Sequence, residues 1–173
     1  MSESTIMLTL ARVEAHALAD LVAQFTSLVS ESGGSEDAAL ARLTPSAYPD
    51  DAEASEEFRH ATAADLLARR EADGLHVLED LAPSFATESD TAAPEDDLID
   101  IVLDSDRGWA WMRTLAAVRL IIASRLGIAD DVSGTHEQDA RRFNDDRFAV
   151  YDWIGYRLDG LVQALEAAPP PSD

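Results

Sequence analysis

Between Asp106 and Leu126, apolar residues occupy so wide an arc of a helical wheel that this segment has to be a helix surrounded by others. The arc holds Trp109, Trp111, Met112, Leu115, Ala116, Val118, Leu120, Ile122, Ala123 and Leu126. A helix apolar around this much of its surface is a central one. Asp104 or Ser105 supplies its cap and Gly127 its stop. The rest of the chain reads as elements that pack around it.

Residues 1–8 read as a short arm. A helix follows from Thr9 to about Ser30, with Leu10, Val13, Ala17, Leu21, Phe25 and Leu28 as its apolar positions. Gly33-Gly34 ends it, and a short helix spans Glu36 to Leu43. Pro45 to Pro49 makes a turn, since each proline drives its predecessor out of helical geometry. A helix is expected from Asp50 to about His60. A second starts at Thr62, where Thr62 and Asp65 resemble a capping box, and runs to Leu81 with Gly74 as a weak spot. Ser84 to Asp97 is polar and acidic and is expected to be an exposed, mobile loop. Leu98–Leu103 alternates imperfectly and reads as a packed extended segment or a weak hairpin edge. The last helix runs from about Asp145 to Ala167, with Phe148, Tyr151, Ile154, Leu158, Leu161, Val162 and Leu165 inward. Residues 168–173 form a proline-rich tail. The expected fold is one all-α domain over residues 9–167, a bundle of about five or six helices.

At 173 residues and 46% hydrophobic, the chain has enough apolar material for a core of its own. It has no cysteine, which excludes disulfides, thiolate metal sites and a cysteine nucleophile. No apolar run reaches the roughly eighteen residues of a membrane span. The start, Met1-Ser2-Glu3-Ser4, lacks the basic character of a signal peptide, so a cytoplasmic location is expected. The formal charge is −21, from 34 acidic and 13 basic residues. Every base is arginine. Such a field repels nucleic acid and anionic lipid and attracts basic partners. The only basic cluster, Arg141-Arg142 with Arg147, has no interleaved exposed aromatics, so neither direct nucleic-acid binding nor membrane binding is expected.

Three ionic residues fall inside apolar stripes: Glu14 between Leu21 and Phe25, Arg70 among Leu66, Gly74, Val77 and Leu81, and Arg119 within the central helix. A buried charge needs a partner, so a shared cluster is expected, with Glu14 bonded to Arg70 or Arg119. Such a cluster either fixes helix register or holds an anionic ligand or a partner's carboxylate. Asp51, Asp65, Asp152 and Asp159 are further acceptors near helix edges.

Glu57-x-x-His60 fits the Glu-x-x-His pattern of di-metal bundles, and Asp73-x-x-His76 is a looser copy off the central stripe of its helix. The remaining ligands are missing, so no metal and no other cofactor is expected. There is no glycine-rich phosphate loop and no nucleophile elbow. The four histidines are scattered, and no residue is assigned a catalytic role.

Several separated motifs resemble one actinobacterial family. They are Pro45-x-Ala47-Tyr48-Pro49-Asp50-Asp51, Glu57-Phe58-Arg59, Asp65-Leu66 with Arg70, Trp111-x-Arg113-x-Leu115, Val118-Arg119-Leu120, Ser124-Arg125-Leu126-Gly127 and Tyr151-Asp152-Trp153-Ile154. They fall in the right order over roughly residues 8–166. The family was long labelled a domain of unknown function and more recently the AosR oxidative-stress regulator family. The resemblance implies an intracellular regulator acting through protein partners such as a sigma factor. Sensing through a cysteine pair does not transfer, because this chain has none. Tyr48 and Asp51, within the first motif, complete the candidate site set with Glu14, Arg70 and Arg119. The expected function is a non-enzymatic regulatory or adaptor protein. The alternative is a metal-dependent enzyme or a small-anion-binding protein that uses the inward Glu, Arg and His residues.

Overall fold

A computed structural model describes residues 5–31, 37–44, 48, 50–85, 97–128 and 146–167. Among them are five helices and a two-stranded ribbon. The order is β1 (Ile6–Ala11), α1 (Arg12–Ser30), α2 (Ala38–Leu43), α3 (Ala52–Leu81), β2 (Leu98–Leu103), α4 (Ser105–Arg125) and α5 (Asp146–Ala167). The chain is a mostly helical single domain.

The helix starts follow side-chain chemistry. Asp37 accepts from Ala39 N, Asp51 from Ala54 N and Asp104 from Arg107 N, each supplying an acceptor to an orphan donor of its helix. α4 stops just before Gly127, whose φ is 68°. Its last carbonyls are closed by Gly127 N donating to Ser124 O and Ile128 N to Ala123 O.

α4 is central, as its wide apolar arc requires. It packs against α2, α3 and α5, while α1 lies on α3. Trp111 is fully buried together with Leu18, Val22, Val77, Leu81, Leu115, Ile154 and Leu161. Trp109 departs from its expected place in this core and is 45% exposed.

Three local expectations are corrected. First, the N-terminal arm and the helix start at Thr9 give way to strand β1, with α1 beginning at Arg12. β1 pairs antiparallel with β2 across some ninety residues of sequence, so neither segment shows its partner locally. Second, Thr62 does not restart a helix. Its hydroxyl donates to Phe58 O one turn back, and α3 runs unbroken for 30 residues. Third, Gly74 is no weak spot. A Cβ there would lie 2.5 Å from Thr26 Cγ2, so its bare backbone is what lets α1 and α3 approach.

The buried face of α1 is Ala15, Leu18, Val22, Phe25, Thr26 and Val29. Of the positions expected inward, Val13 is 48% exposed and Leu21 and Leu28 are half-buried. The helix is apolar over two adjoining stripes, and Leu21, Phe25 and Leu28 of the expected one line an open cleft. Arg12 closes the ends of the acidic segment. Its backbone N–H donates to Asp97 O at 2.8 Å and its guanidinium to Ser84 O at 2.6 Å. Residues 86–96, the bulk of the expected mobile loop, lie outside the described residues, as do residues 168–173.

Candidate interaction surface and ionic sites

Glu14 is bonded to neither expected arginine. It sits in the first turn of α1, where a side chain can reach back over the helix start. One carboxylate oxygen accepts from Ala11 N at 2.9 Å and from the Arg157 guanidinium; the other accepts from Trp153 Nε1 at 2.8 Å. Arg157 also donates to Thr9 O at 3.4 Å. The group therefore ties the β1–α1 corner to α5. The Arg157 hydrogen bond, helped by the Ala11 and Trp153 donors and opposed by burial, holds the Glu14 carboxyl down at about 2.

Arg119 and Arg70 occupy different seams. Arg119 lies over the Tyr151 ring, 4.1 Å from its centroid. A Cβ at Gly155 would come within 3.0 Å of its Nε, so the bare backbone of α5 makes room for the guanidinium. Arg70 is half-buried between α3 and α4, and its charged neighbours are Asp73 and Arg113. Arg113 makes a two-bond fork with Asp73, at 2.7 and 2.8 Å, which raises the pKa of Arg113. Burial, reinforced by Arg113 and opposed by Asp73, lowers the pKa of Arg70. The expected common cluster dissolves because α4 turns Arg113 toward α3 and Arg119 toward α5, while α5 brings its own arginine to Glu14.

Tyr48 and Asp51 stand together elsewhere, at the start of α3. Tyr48 is exposed and packs edge-on to Phe58, with ring centroids 5.9 Å apart. Asp51 is the α3 cap. Glu57 and His60 are exposed along α3, and His76 meets Glu79, itself bonded by Arg107 at 3.0 Å. No three His, Asp or Glu side chains among the described residues converge as metal ligands.

Apolar surfaces that stand open among the described residues include two. One is a cleft of about 450 Å³ between α1, α4 and the start of α5, lined by Leu21, Phe25, Leu28, Val118, Ile121 and Val150 among others. The other is the outer face of the ribbon. Ile6, Leu10, Ile101 and Leu103 turn into the core, while Met7, Leu98 and Val102 turn out at 67%, 68% and 65% exposure. Between them Thr9 Oγ1 donates to Asp100 Oδ1 at 2.6 Å, holding that carboxylate on the same face.

Sequence reasoning missed Arg157. The available signal was its place one turn after Trp153, beside the Ile154, Leu158 and Leu161 stripe. Trp153 faces the β1–α1 corner, donating to Glu14, whereas Tyr156 is 72% exposed.

These features define a small helical domain whose inward ionic residues hold elements together and whose β-ribbon is open to solvent. The chain belongs to the family described as a domain of unknown function (DUF2017), whose model matches residues 1–165. No curated protein and no solved structure matches the chain. Among the described residues, no helix is long and apolar enough to cross a membrane.

Proposed function

We propose that this chain is a non-enzymatic regulatory adaptor that works by binding another protein. The observation carrying this reading is the ribbon's outer face, where Met7, Leu98 and Val102 stand exposed together on a chain of charge −21. An apolar patch within a polar surface is the usual form of an interaction site. The acidic field steers a basic partner to it and repels nucleic acid and anionic lipid. The likeness to the AosR regulators supports a cytoplasmic role in stress-linked transcriptional control, with a sigma factor or another regulator as partner. Without cysteine, any sensing uses other groups.

The test is to recover bound proteins from the native cell extract, identify them by mass spectrometry and rebuild the pair from purified components. A one-to-one complex that weakens as salt screens the surface is expected. A rebuilt pair indifferent to salt, or no pair at all, contradicts the reading. A second reading, a small-anion site, is favoured by Arg70 standing half-buried beside Arg113 while both oxygens of the nearby Asp73 are bonded by Arg113. It requires phosphate or chloride to raise the melting temperature at constant ionic strength, and Arg70→Ala to abolish the rise.

A further inference from the structure

The pairing of β1 and β2 settles where each backbone group of β2 points. Cα partners run from Ile6↔Leu103 to Ala11↔Leu98, and the ladder continues into Arg12, whose N–H donates to Asp97 O. In an antiparallel ladder, hydrogen-bonded and non-hydrogen-bonded pairs alternate. With Arg12 and Asp97 a bonded pair, Leu98, Asp100 and Val102 belong to non-bonded pairs. Their N–H and C=O groups point away from β1. The same alternation turns Thr9 O outward on the other edge, and there Arg157 of α5 donates to it. So α5 reaches the outer edge of β1, whereas no described residue pairs with the outward groups of β2.

This open edge runs beside the exposed apolar face, because Leu98, Asp100 and Val102 supply both. An open edge of this kind is a template for another strand. Charge decides what kind. A second copy paired to match Leu98 with Val102 would set Asp100 against Asp100, on two chains each carrying −21. A strand with a base at its centre meets the opposite situation: its cation faces Asp100, which Thr9 holds in place, and its apolar residues face Leu98 and Val102.

Building on the adaptor reading, we propose that the β2 edge receives an extended segment of a partner protein with the pattern apolar–x–basic–x–apolar. The pattern is the same read in either direction, so parallel and antiparallel pairing both satisfy it. Main-chain bonds to Leu98, Asp100 and Val102 supply affinity, and the central base supplies selectivity.

The test uses the isotope-labelled full chain titrated with two capped seven-residue peptides of alternating threonine and valine. One carries arginine at the centre and the other glutamate. Saturable amide shifts centred on Leu98, Asp100 and Val102 are expected with the arginine peptide alone. Asp100→Lys should reverse the preference. Val102→Pro removes an N–H that the β1–β2 ladder does not use, so the ribbon persists while binding weakens by about tenfold, the equivalent of one main-chain bond. An unchanged melting temperature shows that each variant is folded. Shifts elsewhere, equal binding of both peptides, or concentration-dependent self-pairing at β2 would overturn the proposal. If a rebuilt native pair binds Asp100→Lys and Val102→Pro as tightly as the parent, the edge assignment fails and the adaptor reading survives. If the peptides behave as expected but no protein pair can be rebuilt, the adaptor reading fails and the edge assignment stands.

Discussion

Glu14 and Asp100 are carboxylates close to the same end of the β-ribbon, one bonded to Ala11 N and the other paired across from Thr9, and their surroundings differ in kind. Around Glu14 the chain supplies the donors: Ala11 N–H, the Trp153 indole and the Arg157 guanidinium converge on two oxygens. Around Asp100 the described residues supply one, the Thr9 hydroxyl, and leave the carboxylate exposed beside apolar side chains and outward-pointing backbone groups. The first arrangement joins α1, β1 and α5, and an external ligand would have to displace what is there. The second has acceptor capacity in reserve, because one donor occupies it and the carboxylate is exposed. Both residues stand on apolar-rich segments, so a charge within an apolar pattern does not by itself mark a functional site. What separates the two is whether the fold has already filled the acceptor.

That contrast can be broken by substitution. Glu14→Gln keeps the shape and removes the charge, and is expected to lower unfolding free energy by about 1.5–3 kcal/mol, the range for hydrogen bonds to charged groups. A double-mutant cycle with Arg157→Met should show coupling in the folded protein. A loss below about 0.5 kcal/mol would mean that the corner is held by apolar packing alone.

Acid sharpens the same contrast with a smaller effect. The folded-state pKa of Glu14 is lowered from 4.5 to about 2, so the unfolded state binds its proton first as pH falls. The contribution is therefore complete above the ordinary carboxylate range and is lost as pH drops from 4.5 toward 2. Denaturant titrations across that window should show a steeper fall in stability for the parent than for Glu14→Gln. Parallel curves would contradict the assignment. The smallest effect belongs to the other carboxylate: Asp100→Asn should leave stability within about 0.5 kcal/mol, because the site is exposed and an amide oxygen can still accept from Thr9.

Much of the helical frame was legible because its signals are local. The Asp104 and Gly127 boundaries and the wide arc between them identify α4 as central, and the Asp50–Asp51 acidic start marks α3. Long-range features were not. The Ile6–Ala11 strand runs straight into α1, so its apolar residues merge with the helical pattern, and it pairs with a segment some ninety residues away. Leu98–Leu103 was legible as extended but had no visible partner. In the same way, the wheel positions showed that Glu14, Arg70 and Arg119 sit among apolar residues, yet could not show which helix each one meets. Arg70 on α3 lies beside Arg113 of α4, Arg119 on α4 lies over Tyr151 of α5, and Arg157 reaches Glu14 through a contact spanning most of the chain. The α1 stripe was misassigned for a related reason: two apolar stripes adjoin, and periodicity does not reveal which of them a neighbour covers.

Hydrogen exchange on the full chain, free and in complex with a partner rebuilt from purified components, tests the contrast most directly. The outward amides of Leu98, Asp100 and Val102 should exchange quickly in the free protein and slow on binding. The amides around Glu14 and along α5 should keep their free rates. Unchanged exchange along β2, with protection appearing at the Glu14 corner or along α5, would contradict it.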